Sequence, residues 1–153
     1  MIPFYVMLVA IVVARLLGAL VWPALGDWHA ATRAGLAMMF IFTGLAHFTS
    51  TRQDLVRMVP PQFPKPALLV TLTGLAELAG ALGLLVPPVT RPAAYALIAL
   101  LIAMFPANIH AARTGHVIAG RPHTRLLFRM PLQVLWIVLL WWSVQADRPG
   151  TIS

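Results

Sequence analysis

The sequence predicts an all-α membrane protein, a polytopic bundle of transmembrane helices forming a single membrane domain, on three observations. Of 153 residues, 60% are hydrophobic and only 10% are charged, against about a quarter charged in ordinary soluble domains. Several apolar runs reach the roughly 20 residues needed to cross the hydrocarbon core of a bilayer. These runs are continuous rather than alternating, which selects helices over the strands of a closed barrel.

Five helices fit the pattern, at about 2–22, 30–48, 67–86, 92–112 and 128–145. The first resembles a secretory signal only in length. A signal carries its positive charge ahead of the apolar region, whereas here Arg15 lies inside the run and no Lys or Arg precedes it. It therefore reads as a retained span. Pro23 closes that helix, Pro66 stands at the start of the third and Pro87-Pro88 end it. Pro92 opens the fourth, where a missing N–H leaves no bond unmade. The last helix is the shortest.

Two connections are long. The first, Thr49 to Pro66, contains Met58-Val59-Pro60-Pro61-Gln62-Phe63-Pro64, whose prolines forbid a regular helix and whose apolar side chains suit a segment lying in the membrane interface. The second, Arg113 to Arg129, is basic and polar. With five crossings both fall on one side, together with Arg52, Arg57, Lys65, Arg113, Arg121, Arg125 and Arg129, while the other side has Arg33, Arg91 and Arg148. The positive-inside rule then places the long connections and the N-terminus in the cytoplasm. Trp136, Trp141 and Trp142 on the last helix suit interfacial anchoring.

The net charge of +7 does not imply nucleic acid, because the arginines are scattered and form no basic stripe with interleaved aromatics. Anionic lipid headgroups are the expected partner. Cysteine is absent, which excludes disulfides, thiolate metal sites, iron–sulfur clusters and thiol relays. His110, His116 and His123 lack metal-site spacing, so no metal is expected. Phosphate-loop, dinucleotide and nucleophile-elbow motifs are likewise missing.

Glu77 is the one acid inside a long apolar run, and a charged group there costs about 2.5 kcal/mol or more unless paired or neutralised. It marks a functional or assembly site. Helix direction places His47, Asn108, Arg129 and Gln133 at the membrane level of the long connections, with Glu77 about 15 Å deeper than Ala67. Thr73, Glu77 and Gly80 share one helix face, which aims the acid at other helices across a small-residue contact.

Each residue also has a structural reading. His47 suits an interfacial cap, Asn108 and Gln133 suit bonds between helices, and Arg129 suits snorkelling to a headgroup. Arg15 lies about 5 Å from Glu77 along the membrane normal if the first and third helices are antiparallel, so an architectural Arg15–Glu77 pair is expected on that reading. Ala76, Ala79, Gly80 and Gly83 read as a helix-packing surface. Pro106 loosens the fourth helix just before Asn108.

Ala34-Gly35-Leu36-Ala37-Met38-Met39-Phe40, running into Gly44-Leu45-Ala46-His47-Phe48, resembles the opening helix of the DoxX-like membrane proteins. The likeness continues through Met58-Val59-Pro60-Pro61, Gly74-Leu75-Ala76-Glu77-Leu78-Ala79-Gly80, Gly83-Leu84-Leu85-Val86-Pro87, Phe105-Pro106-Ala107-Asn108-Ile109 and Arg129-Met130-Pro131-Leu132-Gln133, covering about residues 33–145. It implies a four-helix core at 30–146, with 1–29 an added N-terminal helix and connection. The family takes its name from association with a quinol oxidase and sulfur oxidation, and much of it has no defined activity.

The expectation is a protein of the bacterial inner membrane that binds a small lipophilic ligand, such as a quinone, as an accessory subunit in redox or envelope metabolism. His47, Glu77, Asn108, Gln133 and Arg129 are the candidate ligand and proton-relay residues. The alternatives are a noncatalytic scaffold for a membrane protein partner and, without a visible repeat, a small-molecule transporter.

Overall fold

Apolar runs bounded by proline, Asp27 and short polar turns fold into helices, the only structure that satisfies its own backbone in lipid. The computed structural model describes residues 2–114, 117–118, 121–122 and 126–145, except the side chains of 112, 114, 117–118, 121–122 and 126–129. Its helices are α1 (Ile2–Leu20), α2 (Trp28–Ala46), α3 (Arg52–Met58), α4 (Pro66–Leu85), α5 (Thr90–Ala103), α6 (Phe105–Thr114) and α7 (Leu126–Ser143). A two-residue antiparallel pair, Val117–Ile118 with Arg121–Pro122, lies between α6 and α7.

Among the described residues, three stretches are long and apolar enough to cross a bilayer: α1, α4 and Pro87–Ala111, which holds α5 and most of α6. The chain is a membrane protein with transmembrane helices. The second and fifth expected spans are helical but do not join that set. Trp28, His29 and Arg33 make the start of α2 polar, and of the last helix only Met130–Ser143 falls among the residues whose side chains are described, a shorter apolar stretch.

Local chemistry fixes the ends. Asp27 caps α2 by accepting the Ala30 N–H at 3.0 Å. Lys65, with φ of 53°, turns the chain through the left-handed region into α4, which starts at Pro66. The proline-rich connection is irregular after Met58, but α3 precedes it, a helix too short to show as an apolar run. Pro106 has no N–H to return to Ile102, and the expected fourth helix is broken at Met104 into α5 and α6.

α2 packs on α4, α4 on α5, α5 on α7, and α7 back on α2, while α1 packs chiefly along α2. Leu36, Met39 and Phe40 from α2, Ala81 and Leu84 from α4, Leu97 and Leu101 from α5, and Leu140 from α7 fill the middle. Leu8, Val9, Val12, Val13, Leu16 and Leu17 of α1 remain exposed, as lipid-facing side chains are. Of the expected anchors, Trp141 is exposed, Trp136 packs against the core, and Trp142 stacks on His29 with ring centroids 4.0 Å apart.

Candidate functional site

α2 and α4 run antiparallel and touch through glycine. A Cβ at Gly44 would stand 2.9 Å from Leu78 Cγ and 3.3 Å from Glu77 Cβ, and one at Gly74 would stand 2.6 Å from His47 Cβ. Without side chains at those two positions the backbones approach closely enough for short polar groups to meet. Thr43 and His47 are four residues apart and therefore share a face of α2. That face meets Glu77.

Glu77 and His47 are each only 4% exposed. The Thr43 hydroxyl lies 2.6 Å from Glu77 Oε2, and His47 Nε2 lies 3.8 Å from Glu77 Oε1. His47 Nδ1 is 2.8 Å from the Val70 carbonyl oxygen. A carbonyl only accepts, so Nδ1 carries a proton and donates it there, leaving Nε2 to face the carboxyl group. Thr73 donates to the Leu69 carbonyl at 2.9 Å, and its oxygen lies 3.3 Å from His47 Nδ1.

The Thr43 bond to Glu77 can be kept in either protonation state of the carboxyl group. Thr43 donates to an ionised Oε2; when Oε2 carries a proton it donates to Thr43, whose own hydroxyl hydrogen turns to the Phe40 carbonyl at 3.3 Å. His47 Nε2, 3.8 Å from Oε1, is beyond hydrogen-bonding range and pairs with it as an ion only when the imidazole is protonated. The Oε2 side of the carboxyl group can therefore hold a proton or release it without losing its hydrogen bond.

Arg52 closes the end of this pair. From α3 its guanidinium donates to the His47 carbonyl at 3.2 Å, the Ala67 carbonyl at 3.0 Å and the Thr71 hydroxyl at 2.8 Å. One side chain therefore joins the C-terminus of α2 to the N-terminus of α4.

A second polar group lies between α5, α6 and α7. Asn108 donates to Gln133 Oε1 at 3.1 Å, and Gln133 Nε2 donates to the Leu101 carbonyl beside the helix break. Gln133 is 4% exposed. On α4 and α5, Gly83 faces Ala93 and Gly80 faces Leu97; continued one turn, this register sets Leu101 at the level of Ala76 and Glu77. Gln133 and Glu77 thus share a depth in the bundle. An apolar groove of about 360 Å³, bordered by Ile102, Phe105, Pro106, Gln133, Val134 and Ile137, opens beside Gln133 rather than beside Glu77. One turn along α7, the Trp136 indole N–H is buried and makes no hydrogen bond among the described residues.

The structure joins His47 to Glu77 and Asn108 to Gln133. It corrects the expected Arg15–Glu77 pair: the Arg15 guanidinium lies over the Trp28 ring, 4.3 Å from its centroid, and the polar contacts of Glu77 are Thr43 and His47. The physical reason is that α1 packs on α2, which separates it from α4. The expected small-residue surface is also divided, since Gly80 and Gly83 pack on α5 while Ala76 and Ala79 are exposed. The side chains of Arg121 and Arg129, and residues His116, His123, Arg125 and Arg148, lie outside the described residues. Thr43 was legible as one turn before His47; Arg52 and Trp136 carried no sequence signal of their roles.

Residues 36–145 match a family described as a domain of unknown function, DUF8561, and the chain belongs to that family. No curated protein and no solved structure matches it.

Proposed function

We propose that this DUF8561 member is a DoxX-like protein of the bacterial inner membrane. It binds a small lipophilic ligand of the quinone class, as an accessory subunit in redox or envelope metabolism, with Glu77 and His47 as a proton-holding pair at the depth of the ligand groove rather than on its wall. The observation behind this reading is the Thr43–Glu77–His47 arrangement, in which the Thr43 bond can be kept with the carboxyl group protonated or ionised and a histidine nitrogen stands 3.8 Å from its other oxygen. A purely architectural acid in lipid is best served by a permanent cation. Its partner here is a histidine, whose charge changes readily.

The ligand side is supported by the groove and by the Trp136 N–H. A quinone-type carbonyl accepts hydrogen bonds and brings none, so the buried Trp136 N–H, one turn from Gln133 on α7 and unpaired among the described residues, is complementary to it. The bound ring would supply the electron chemistry. Glu77 Oε1 and His47 Nε2 hold and pass the proton, and Asn108 and Gln133 orient the groove wall. In this reading α2 and α7 also cross the bilayer, giving five crossings and a four-helix core of DoxX type.

The scaffold reading is favoured by one observation. Gln133 bonds to Asn108 and to the carbonyl at the helix break, which is sufficient as architecture. Native mass spectrometry and lipid extraction of gently purified protein separate the two. A stoichiometric quinone, retained by the wild type and no longer protonated on reduction in Glu77→Gln, supports the proton-exchange reading; protein free of any lipophilic ligand refutes it.

A further inference from the structure

Arg15 is a cation inside a membrane span, five residues before the end of α1 at Leu20. It is half-buried, and its guanidinium lies over the Trp28 ring, 4.3 Å from the centroid, with no hydrogen bond to any described residue. None of the described acids serves it. Asp27 caps α2, Asp54 lies 3.7 Å from Arg57 on α3, Glu77 is held by Thr43 and His47, and Asp147 lies outside the described residues. A guanidinium has five N–H donors in its plane, and stacking on an indole occupies a face while leaving that edge open.

The contact with Trp28 also fixes the level of the charge. Trp28 is the first residue of α2, at the turn where α1 ends. At about 1.5 Å per residue the Arg15 backbone lies roughly 7 Å inside Leu20, and its long side chain carries the charge outward to the tryptophan, where lipid phosphates begin. The positive charge of Arg15, which no described acid offsets, makes an anionic lipid the complementary occupant.

We propose that Arg15, stacked on Trp28, is a binding site for the headgroup phosphate of an anionic glycerophospholipid at the membrane face where α1 turns into α2. The phosphate oxygens accept from the open guanidinium edge, and the acyl chains lie along the exposed apolar face of α1. This site is independent of Glu77 and its ligand.

The test is native mass spectrometry of the full chain in detergent with equal phosphatidylglycerol and phosphatidylcholine. The wild type should retain one phosphatidylglycerol in preference. Arg15→Leu should lose that preference by about tenfold or more, the scale of a charge-assisted hydrogen bond. Trp28→Ala should weaken it severalfold. Arg57→Gln, on the exposed surface of α3, should leave it unchanged, which separates a site from net charge. Should Arg15→Leu fail to insert, Arg15→Lys, which keeps the charge and loses the planar fork, replaces it and should show a partial loss. Inorganic phosphate and glycerol phosphate should not displace the lipid. Unchanged retention in the Arg15 variants, equal loss in Arg57→Gln, or displacement by inorganic phosphate would each overturn the proposal.

Discussion

Gly74→Ala tests whether close approach of α2 and α4 creates the polar site. A methyl group at 74 would sit 2.6 Å from His47 Cβ, 2.9 Å from His47 Cγ and 3.0 Å from Phe48 Cε2. Ordinary carbon contacts begin near 3.5 Å, so the helices must separate locally by about 1 Å. The His47 Nδ1 to Val70 distance, 2.8 Å at present, would then approach 3.8 Å, beyond hydrogen-bonding range. Overpacking costs about 1–3 kcal/mol and the lost bond about 1 kcal/mol more, giving a total of about 2–4 kcal/mol. Gly83→Ala is the matched control: its methyl would meet Ala93 Cβ at 2.6 Å, with the next contact at 3.9 Å and no site residue involved. Equilibrium unfolding in detergent should show both losses, whereas the infrared carboxyl stretch of Glu77, which His47 faces, should shift only in Gly74→Ala. A Gly74→Ala protein within about 0.5 kcal/mol of wild type would refute the close-approach argument, and so would equal shifts of the Glu77 band in both variants.

Arg15→Leu and Glu77→Gln should combine additively to within about 0.5 kcal/mol in unfolding free energy, because the two residues do not meet; a rescue of one by the other would mean that they do. Thr43→Val should shift the infrared carboxyl stretch assigned by its loss in Glu77→Gln, since valine preserves shape but cannot bond to Oε2; an unmoved band would place Thr43 outside the site. Arg52→Gln should destabilise the protein by about 1.5–3 kcal/mol in the same unfolding assay, as charge-assisted bonds to His47, Ala67 and Thr71 are lost. Reporter fusions after Gly120 and Ser153 should report opposite sides of the membrane, and a shared side would remove the fifth crossing.

Composition and proline spacing by themselves determined the helical fold class and the approximate helices, because lipid rewards one backbone solution and proline limits where it can run. Burial of the one acid in an apolar run was legible for the same reason: Glu77 has no inexpensive place in hydrocarbon. Its partner was not. Depth along the membrane normal made Arg15 eligible, but depth is one coordinate of three, and only packing decides which helix lies beside which. By setting α1 on α2 and opposing Gly44 and Gly74 across α2 and α4, the tertiary structure gave Glu77 a threonine and a histidine and left Arg15 on a tryptophan.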